Sequence, residues 1–417
     1  MRKCANGAEC KRPPSAGEHR PAYVRGSGDI CSYCSQYKKR HPEAGPLSEA
    51  KSASKNINRA RKERADLVLR LKDLDRDINL ASDDEDNGLA EGKILTDAEL
   101  FRVIQIIDRK TNLLPTITVL PSPTVFNKEW LYLLEEETRN SLAIEGYFAS
   151  PSELKQILSG RRTAPEIFNY YNTAQFFYEL AAEHRKDRSF LFSKALVRQV
   201  HVSLFRGTAR RGGELRRGKI VISGARVKPP ENDIESYIDA LLAIVADRHE
   251  QEHPLKLAGA FHVLFESMHP FDDGNGRAGR ILMNYLLVLK GYQPVTIKGL
   301  RKEDRQVYYQ ALQAADVGFH EGFPPVSTHL SGQIAERLGR GSINAVSTLL
   351  VGGQESRIDD LLARAVEGRG ERLIPLSELA EVLGAKEGTL RQWILRGKLV
   401  AIRRGRKLVS HKLLKIG

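Results

Sequence analysis

The sequence predicts a mainly α-helical body with one short β-hairpin inside it and a small basic unit at each end of the chain. Three observations predict that arrangement. From residue 97 to 345, apolar side chains recur at the spacing of amphipathic helices with hardly a break. Strand-like alternation within that body is confined to residues 213 to 230, where "GELRRGKIVISGARVKPP" turns about a central Ser-Gly. Charge is the third: the net +13 sits at the ends, with 9 Lys/Arg against 4 Asp/Glu in residues 1–45 and 11 against 3 in residues 372–417, while the stretch between them balances. A neutral body with basic ends points to an enzyme carrying nucleic-acid-binding appendages rather than to a uniformly basic protein.

The chain is 417 residues long, too long for one ordinary domain, and its 41% hydrophobic residues supply at least one well-buried core. Residues 1–45 form the first expected unit and hold all four cysteines, Cys4, Cys10, Cys31 and Cys34. The gap of two residues between Cys31 and Cys34 lets both sulfurs face one tetrahedral ion, whereas Cys4 and Cys10 are more loosely spaced. No apolar run approaches the roughly 20 residues that span a bilayer. The N-terminus "MRKCANGAEC" lacks the apolar core of a signal peptide. A cytoplasmic protein without membrane contact is therefore expected, and there Zn²⁺-binding thiolates are favoured over disulfides. Four unligated thiols in a basic head are the other reading. Residues 46–96 follow as a charged helix, centred on 53 to 80, and a solvated linker over 82 to 92.

In the body, residues 97–345, the helices are read in order from "DAELFRVIQIIDRKT", "KEWLYLLEEETRNSLAIEG", "SPSELKQILSG", "APEIFNYYNTAQFFYELAAEH", "SKALVRQVHVSLFRG", "ENDIESYIDALLAIVADRH", "LKLAGAFHVLFESM", "RAGRILMNYLLVLKG" and "RKEDRQVYYQALQAADVG". Ser or Asp opens several and Gly closes several, as helix caps do. Residues 346–371 read as a helix-containing connector and 372–417 as a small terminal unit. There is no internal repeat.

The densest chemistry lies in "SMHPFDDGNGRAGR", residues 267 to 280. Proline stops the preceding helix and biases His269 away from helical dihedrals. Gly274, Asn275 and Gly276 let the backbone approach a ligand, and the free amides of the next helix start make an anion site there. Arg277 and Arg280 share a face and can both reach phosphate oxygens, which suits a polyphosphate. Asp273, among so many positive groups, is placed to hold Mg²⁺ bridging phosphates. His269 sits at the lip, where a neutral imidazole can take a proton from an attacking hydroxyl.

The run "HPFDDGNGRAGR" resembles the signature of Fic-domain proteins, and "AFHVLFES" before it is similar to that family's core helix. The resemblance covers residues 97–345. It implies an all-α Fic fold and transfer of AMP from ATP to a hydroxyl side chain of a target protein, with release of pyrophosphate. In that scheme His269 deprotonates the target Ser, Thr or Tyr, Asp273 holds Mg²⁺, Gly274 to Gly276 with Arg277 cradle the α- and β-phosphates, and Arg280 takes the γ-phosphate. Kinase-like relatives carry Lys where this chain has Gly276, which argues against a reversed nucleotide. The hairpin at 213–230 resembles the Fic flap, which pairs with extended target backbone. Its Ser223, Gly224, Ala225 and Arg226 are expected to touch the nucleotide. Tyr308 and Tyr309 fall where relatives pack aromatic groups near the adenine, and on periodicity alone they fit a core equally well.

Upstream, "NSLAIEGY" places Ser141 and Glu145 on one helical face with Gly146 ending the helix. This resembles the inhibitory motif of autoinhibited Fic proteins. Glu145 paired with Arg280 would occupy the guanidinium that should orient the γ-phosphate, leaving ATP unproductively bound. The same carboxylate could position water for removal of AMP.

The tail "IPLSELAEVLGAKEGTLRQWILRGKLVAIRRGRKLVS" reads as two short helices and a hairpin, and resembles a winged helix-turn-helix. Lys386, Thr389, Arg391, Gln392 and Arg396 would face a DNA major groove, with Arg403, Arg404, Arg406 and Lys407 on the wing. The same unit could instead dock a protein or a second copy of the chain. Two functions follow: an autoinhibited protein adenylyltransferase acting on a target or on itself, or a DNA-binding regulator whose Fic core senses nucleotide.

Overall fold

A computed structural model describes residues 94–118, 127–404 and 407–416. The four cysteines, the expected helix at 53 to 80, the linker after it and Arg406 lie outside the described residues.

The helices begin where capping chemistry supplies their orphan amides. Helix α1 (Asp97–Ile117) opens on a capping box of Thr96 and Glu99. Asn127 caps α2 (Lys128–Ile144) through the Trp130 amide. Ser150 and Glu153 form a second capping box on α3 (Pro151–Leu158). There follow α4 (Pro165–Lys186), α5 (Lys194–Leu204) and α6 (Ile234–Arg248). Next come α7 (Pro254–Met268) and α8 (Asn275–Leu289). The body closes with α9 (Lys302–Ala315), α10 (Leu330–Leu338) and α11 (Ile343–Glu367).

Helices α7 and α8 form the centre. From Asn275 to Leu289 every α8 residue except Gly276 is buried, as a helix apolar all round requires. Helix α7 packs on α8, α6 and α11, while α4 and α5 cover the other side of α8. The loop joining α7 to α8 is thereby held between two rigid rods. In the tail, β1 (Ile374–Pro375), α12 (Leu376–Val382), α13 (Glu387–Leu395), β2 (Ile402–Arg404) and β3 (Lys407–Ser410) make two short helices and an antiparallel sheet of order β1-β3-β2. Leu376, Leu379, Ala380, Leu390 and Leu399 form a small core of its own. Among the described residues no helix is long and apolar enough to cross a membrane.

Two expectations need correction. Residues 213–230 contain no strand. The Ser-Gly turn is there, with the Ala225 amide donating to the Ile222 carbonyl and Gly224 at φ +77°, but the flanking backbone bonds elsewhere: Arg216 to the Pro270 carbonyl and Lys228 to that of Phe319. Pro229 and Pro230, lacking amide hydrogens, cannot donate to a ladder. The second concerns residues 346–371, most of which belong to α11, a helix that starts at Ile343 and buries Val346, Leu350, Ile358, Leu362 and Val366. The apolar period simply continues past 345, and Gly353 admits Val295 where a Cβ would come within 2.5 Å of its Cγ1.

Helix α11 is fixed to α1 by charge as well. Lys110 is buried, with its Nζ 2.9 Å from Glu355 Oε1 and 2.8 Å from Asp359 Oδ1. Burial alone would lower its pKa, but the two carboxylates overcome that and raise it. Lys110→Ala removes the buried cation that two buried carboxylates share, so it should cost about 3–5 kcal/mol, read as a lower denaturation midpoint in urea.

Candidate active site

His269 closes α7 in the left-handed region, φ 51° and ψ 62°, with its amide bonded to the Phe265 carbonyl. For a residue with a Cβ this conformation costs on the order of 1–3 kcal/mol and persists only where the surroundings enforce it. Its Nδ1 lies 3.2 Å from the Glu266 carbonyl. A carbonyl only accepts, so Nδ1 carries the proton and Nε2 keeps its lone pair free. Burial holds the imidazole pKa below its usual value, with Arg216 adding to the depression. At neutral pH His269 is a free base.

The next turn is an anion cradle. Gly274 takes φ +77° as the N-cap of α8, and a Cβ there would strike the Phe205 ring at 2.8 Å. Asn275 is a loop staple: its amide nitrogen donates to the Phe271 carbonyl at 2.7 Å and its oxygen accepts from the Phe271 amide at 2.9 Å. Arg277, 2% exposed, lies over the Phe205 and Tyr147 rings, and its Nε is buried without a partner. A buried donor without an acceptor is an opening for an anionic ligand. Asp273 pairs with Arg210 and lies 3.4 Å from Arg277 Nη2. Asp273, Arg277, Arg210, Phe205 and Tyr147, with Glu145, His201 and Asp272, line a cavity of about 690 Å³.

Arg280 is fully buried on the next turn of α8. Its Nε donates to Ser141 Oγ at 2.6 Å, and its Nη2 to the Ser141 carbonyl at 3.1 Å and to Glu145 Oε1 at 2.7 Å. Burial alone would lower its pKa, but Glu145 and the groups around it hold it above the ordinary arginine value. The Glu145 carboxylate lies directly over the cradle: a Cβ on Gly276 would come within 2.2 Å of Glu145 Oε1. Gly146, at φ +83°, reverses the chain just after it. Tyr309 donates to the Ile144 carbonyl and so braces the end of α2, while Tyr308 is buried with its hydroxyl 2.8 Å from His262 Nε2. Tyr308 is thus a core residue. Ser223, Gly224 and Arg226 are exposed and Ala225 half-buried, with Gln313 donating to the Gly224 carbonyl.

On α13, the side chains of Thr389 and Gln392 are exposed, as are those of its N-cap Lys386 and its C-cap Arg396, and Arg404 and Lys407 are exposed on the hairpin. Arg391 is paired with Glu387, and Arg403 is 8% exposed, which removes it from a solvent-facing contact surface.

Sequence reasoning missed three residues that shape this site. His201 accepts from the Gly213 amide through Nδ1 and so donates through Nε2 to the Asp273 carbonyl, stacked on Phe271. Burial lowers its pKa to about 4. Arg216 donates to the carbonyls of Met268, His269, Gly218 and Pro230. Glu266 on α7 is pushed up to about 8 by burial, against the opposing charge of Arg280, to which it makes no hydrogen bond. His201 stands in sequence with no motif around it, and although Arg216 and Glu266 lie in runs already singled out, their partners become visible only in the fold.

The fold and this loop define an α-helical domain whose two central helices present an anion cradle and a free imidazole at their junction. The family model described as Fic/DOC family matches residues 191–287, and the chain carries a Fic domain there. A protein of Aquifex aeolicus (strain VF5), named a probable protein adenylyltransferase, is 29% identical over 284 residues, covering 65% of this chain and 83% of its own length. The protein adenylyltransferase Fic of Aedes aegypti is 39% identical over 114 residues, 26% of this chain but only 21% of that protein. A solved Fic domain containing signaling protein from Bacteroides thetaiotaomicron VPI-5482 is 18% identical, with a TM-score of 0.49, over 65% of this chain and 99% of that one.

Because the Glu266 carboxyl is neutral in the fold well above the pKa of an unfolded glutamate, the unfolded chain binds fewer protons between those two values. Stability therefore falls as pH rises from the ordinary carboxylate range to about 8. Glu266→Gln should flatten that fall, seen as a melting temperature that gains on the wild type with rising pH.

Proposed function

We propose that this protein transfers AMP from ATP to a hydroxyl side chain of a protein, releasing pyrophosphate, and that Glu145 keeps its resting activity low. The observation that carries the proposal is the Glu145–Arg280 pair seated over Gly276, within the loop that also holds His269 and Arg277. The relatives named protein adenylyltransferases support the chemistry.

In the proposed reaction, His269 Nε2 takes the proton of the target Ser, Thr or Tyr. The hydroxyl oxygen bonds to the α-phosphorus and the bond to the pyrophosphate oxygen breaks. Negative charge gathering on the phosphoryl oxygens is met by the α8 amides and by Arg277, whose Nε has no protein acceptor. Arg280, released from Glu145, would take the γ-phosphate. A magnesium ion fits Asp273, a half-exposed carboxylate facing the cavity and an oxygen donor of the kind the ion prefers. Among the described residues no three metal-ligating side chains cluster, so its other ligands would be phosphate and water oxygens. When bound, the ion would neutralise phosphate charge. Exposed backbone at Ser223 to Arg226 would lie against the acceptor segment and the nucleotide.

The block works by competition. With Glu145 on Arg280, a γ-phosphate has neither the cation nor the space above Gly276. Each ~1.4 kcal/mol of blocking corresponds to about tenfold in rate. Incubation with ATP labelled at the α-phosphate should show Glu145→Gly incorporating at least about tenfold more AMP than the wild type. His269→Ala in that background should lower incorporation by about 10²–10⁴-fold while leaving the melting transition in place. If Glu145→Gly labels neither itself nor any lysate protein, the reading fails.

A second reading concerns the tail, which we propose to be a winged helix-turn-helix that binds duplex DNA. The exposed Lys386, Thr389, Gln392 and Arg396 along one short helix and its caps support it. Binding should weaken with salt, by about −0.9 in log K per log salt for each phosphate neutralised. Lys386→Ala and Lys407→Ala should each lessen that slope by about one such unit in a fluorescence-anisotropy titration.

A further inference from the structure

We infer that Arg216 is a positioning residue: one buried guanidinium ties the two ends of the exposed 218–230 segment to the loop that carries His269, so that acceptor and base are set in register by a single side chain. The inference rests on the reading of His269 as the base. Arg216 is 3% exposed. Its Nε donates to the His269 carbonyl at 2.6 Å, Nη2 to those of Pro230 at 2.6 Å and Met268 at 3.0 Å, and Nη1 to that of Gly218 at 2.6 Å. Its own amide donates to the Pro270 carbonyl at 3.0 Å. Five carbonyls from three consecutive loop residues and both ends of the flap segment therefore converge on one residue.

Two features separate this from ordinary loop bracing. Buried guanidiniums are usually matched by a carboxylate. Among the described residues no carboxylate bonds to Arg216; the acidic influence on it is the more distant Asp272, and its hydrogen bonds go to carbonyls. The arrangement also grips the carbonyl of the one residue whose left-handed backbone aims the imidazole. Lysine could not reproduce it, because only the planar fork donates in these directions at once. The guanidinium also acts on the imidazole through its charge. The charged groups facing His269 are Arg216 and Glu145, with Glu266 offering its carbonyl, and Arg216 is the one that disfavours the imidazolium.

The test uses the full chain in the Glu145→Gly background, with Arg216→Gln, Arg216→Lys and His269→Ala compared. Arg216→Gln should lower kcat on the order of 10²-fold, as misplacement of a reacting group does, with KM for ATP held. It should also move the acid limb of the kcat profile, and the His269 titration followed by NMR, to higher pH. Arg216→Lys keeps the charge, so the titration should stay in place, yet kcat should still fall. An unshifted His269 titration in Arg216→Gln with kcat unchanged, or full rescue of kcat by lysine, overturns the inference. If the glutamine variant does not fold, the lysine variant decides on kcat alone. Retained labelling by His269→Ala would instead sink the base assignment, and the NMR titration would still report on the Arg216 contact.

Discussion

A positive charge placed inside the most buried helix of the protein governs much of what surrounds it. Arg280 sits where α8 is closed on every side, and a guanidinium there cannot shed its proton to escape desolvation. Something must meet it. In this structure the something is the end of α2, with Ser141 supplying a hydroxyl and a carbonyl and Glu145 a carboxylate. The end of α2, the left-handed Gly146 after it and the Tyr309 bond to Ile144 together hold that carboxylate against the cation. Neutral or nearly neutral neighbours complete the setting: Glu137, held by the Tyr170 hydroxyl and raised by burial to about 7, and Glu266 behind the loop.

The α7–α8 loop is equally constrained. Asn275 folds it back on Phe271, His201 holds the Asp273 carbonyl, and Arg216 holds its first half. These bonds are to backbone, so they fix shape without dictating chemistry. What the shape leaves unsatisfied is the Nε of Arg277, while the Nε2 of His269 keeps its lone pair; these are the groups that the proposed reaction uses. Around His269 and Arg277 such preorganisation would meet developing charge without rearrangement, whereas Arg280 would first have to leave Glu145.

Much of this was legible from residue order alone. Helical periodicity located α1 to α9 because each buries a continuous stripe or, for α7 and α8, its whole girth, whereas the nine-residue α10 is too short to show a period. The loop was legible because Pro270, Gly274 and Gly276 have backbone requirements that show in one dimension, and the pairing of Glu145 with Arg280 could be framed because both lie in short recognisable runs. Residues 213–230 misled because alternation measures which side chains face a core, and says nothing of whether a partner strand exists. The end of the body was misplaced because polar residues on α11, Glu355 and Asp359 among them, look like linker until Lys110 is found beside them. Tyr308 has a structural partner, His262, that only the fold brings near.

The tail is less separate than its small private core suggests. Val400, Ile402, Val409 and Leu414 belong to the same continuous apolar cluster as the body, and Gly397 is bare because Arg109 of α1 lies against it. The two parts are welded along a seam, not strung like beads. Any load placed on the hairpin would therefore be passed straight into the body, and shearing the tail away would bare the Arg102, Ile106 and Arg109 side chains of α1 that line the seam.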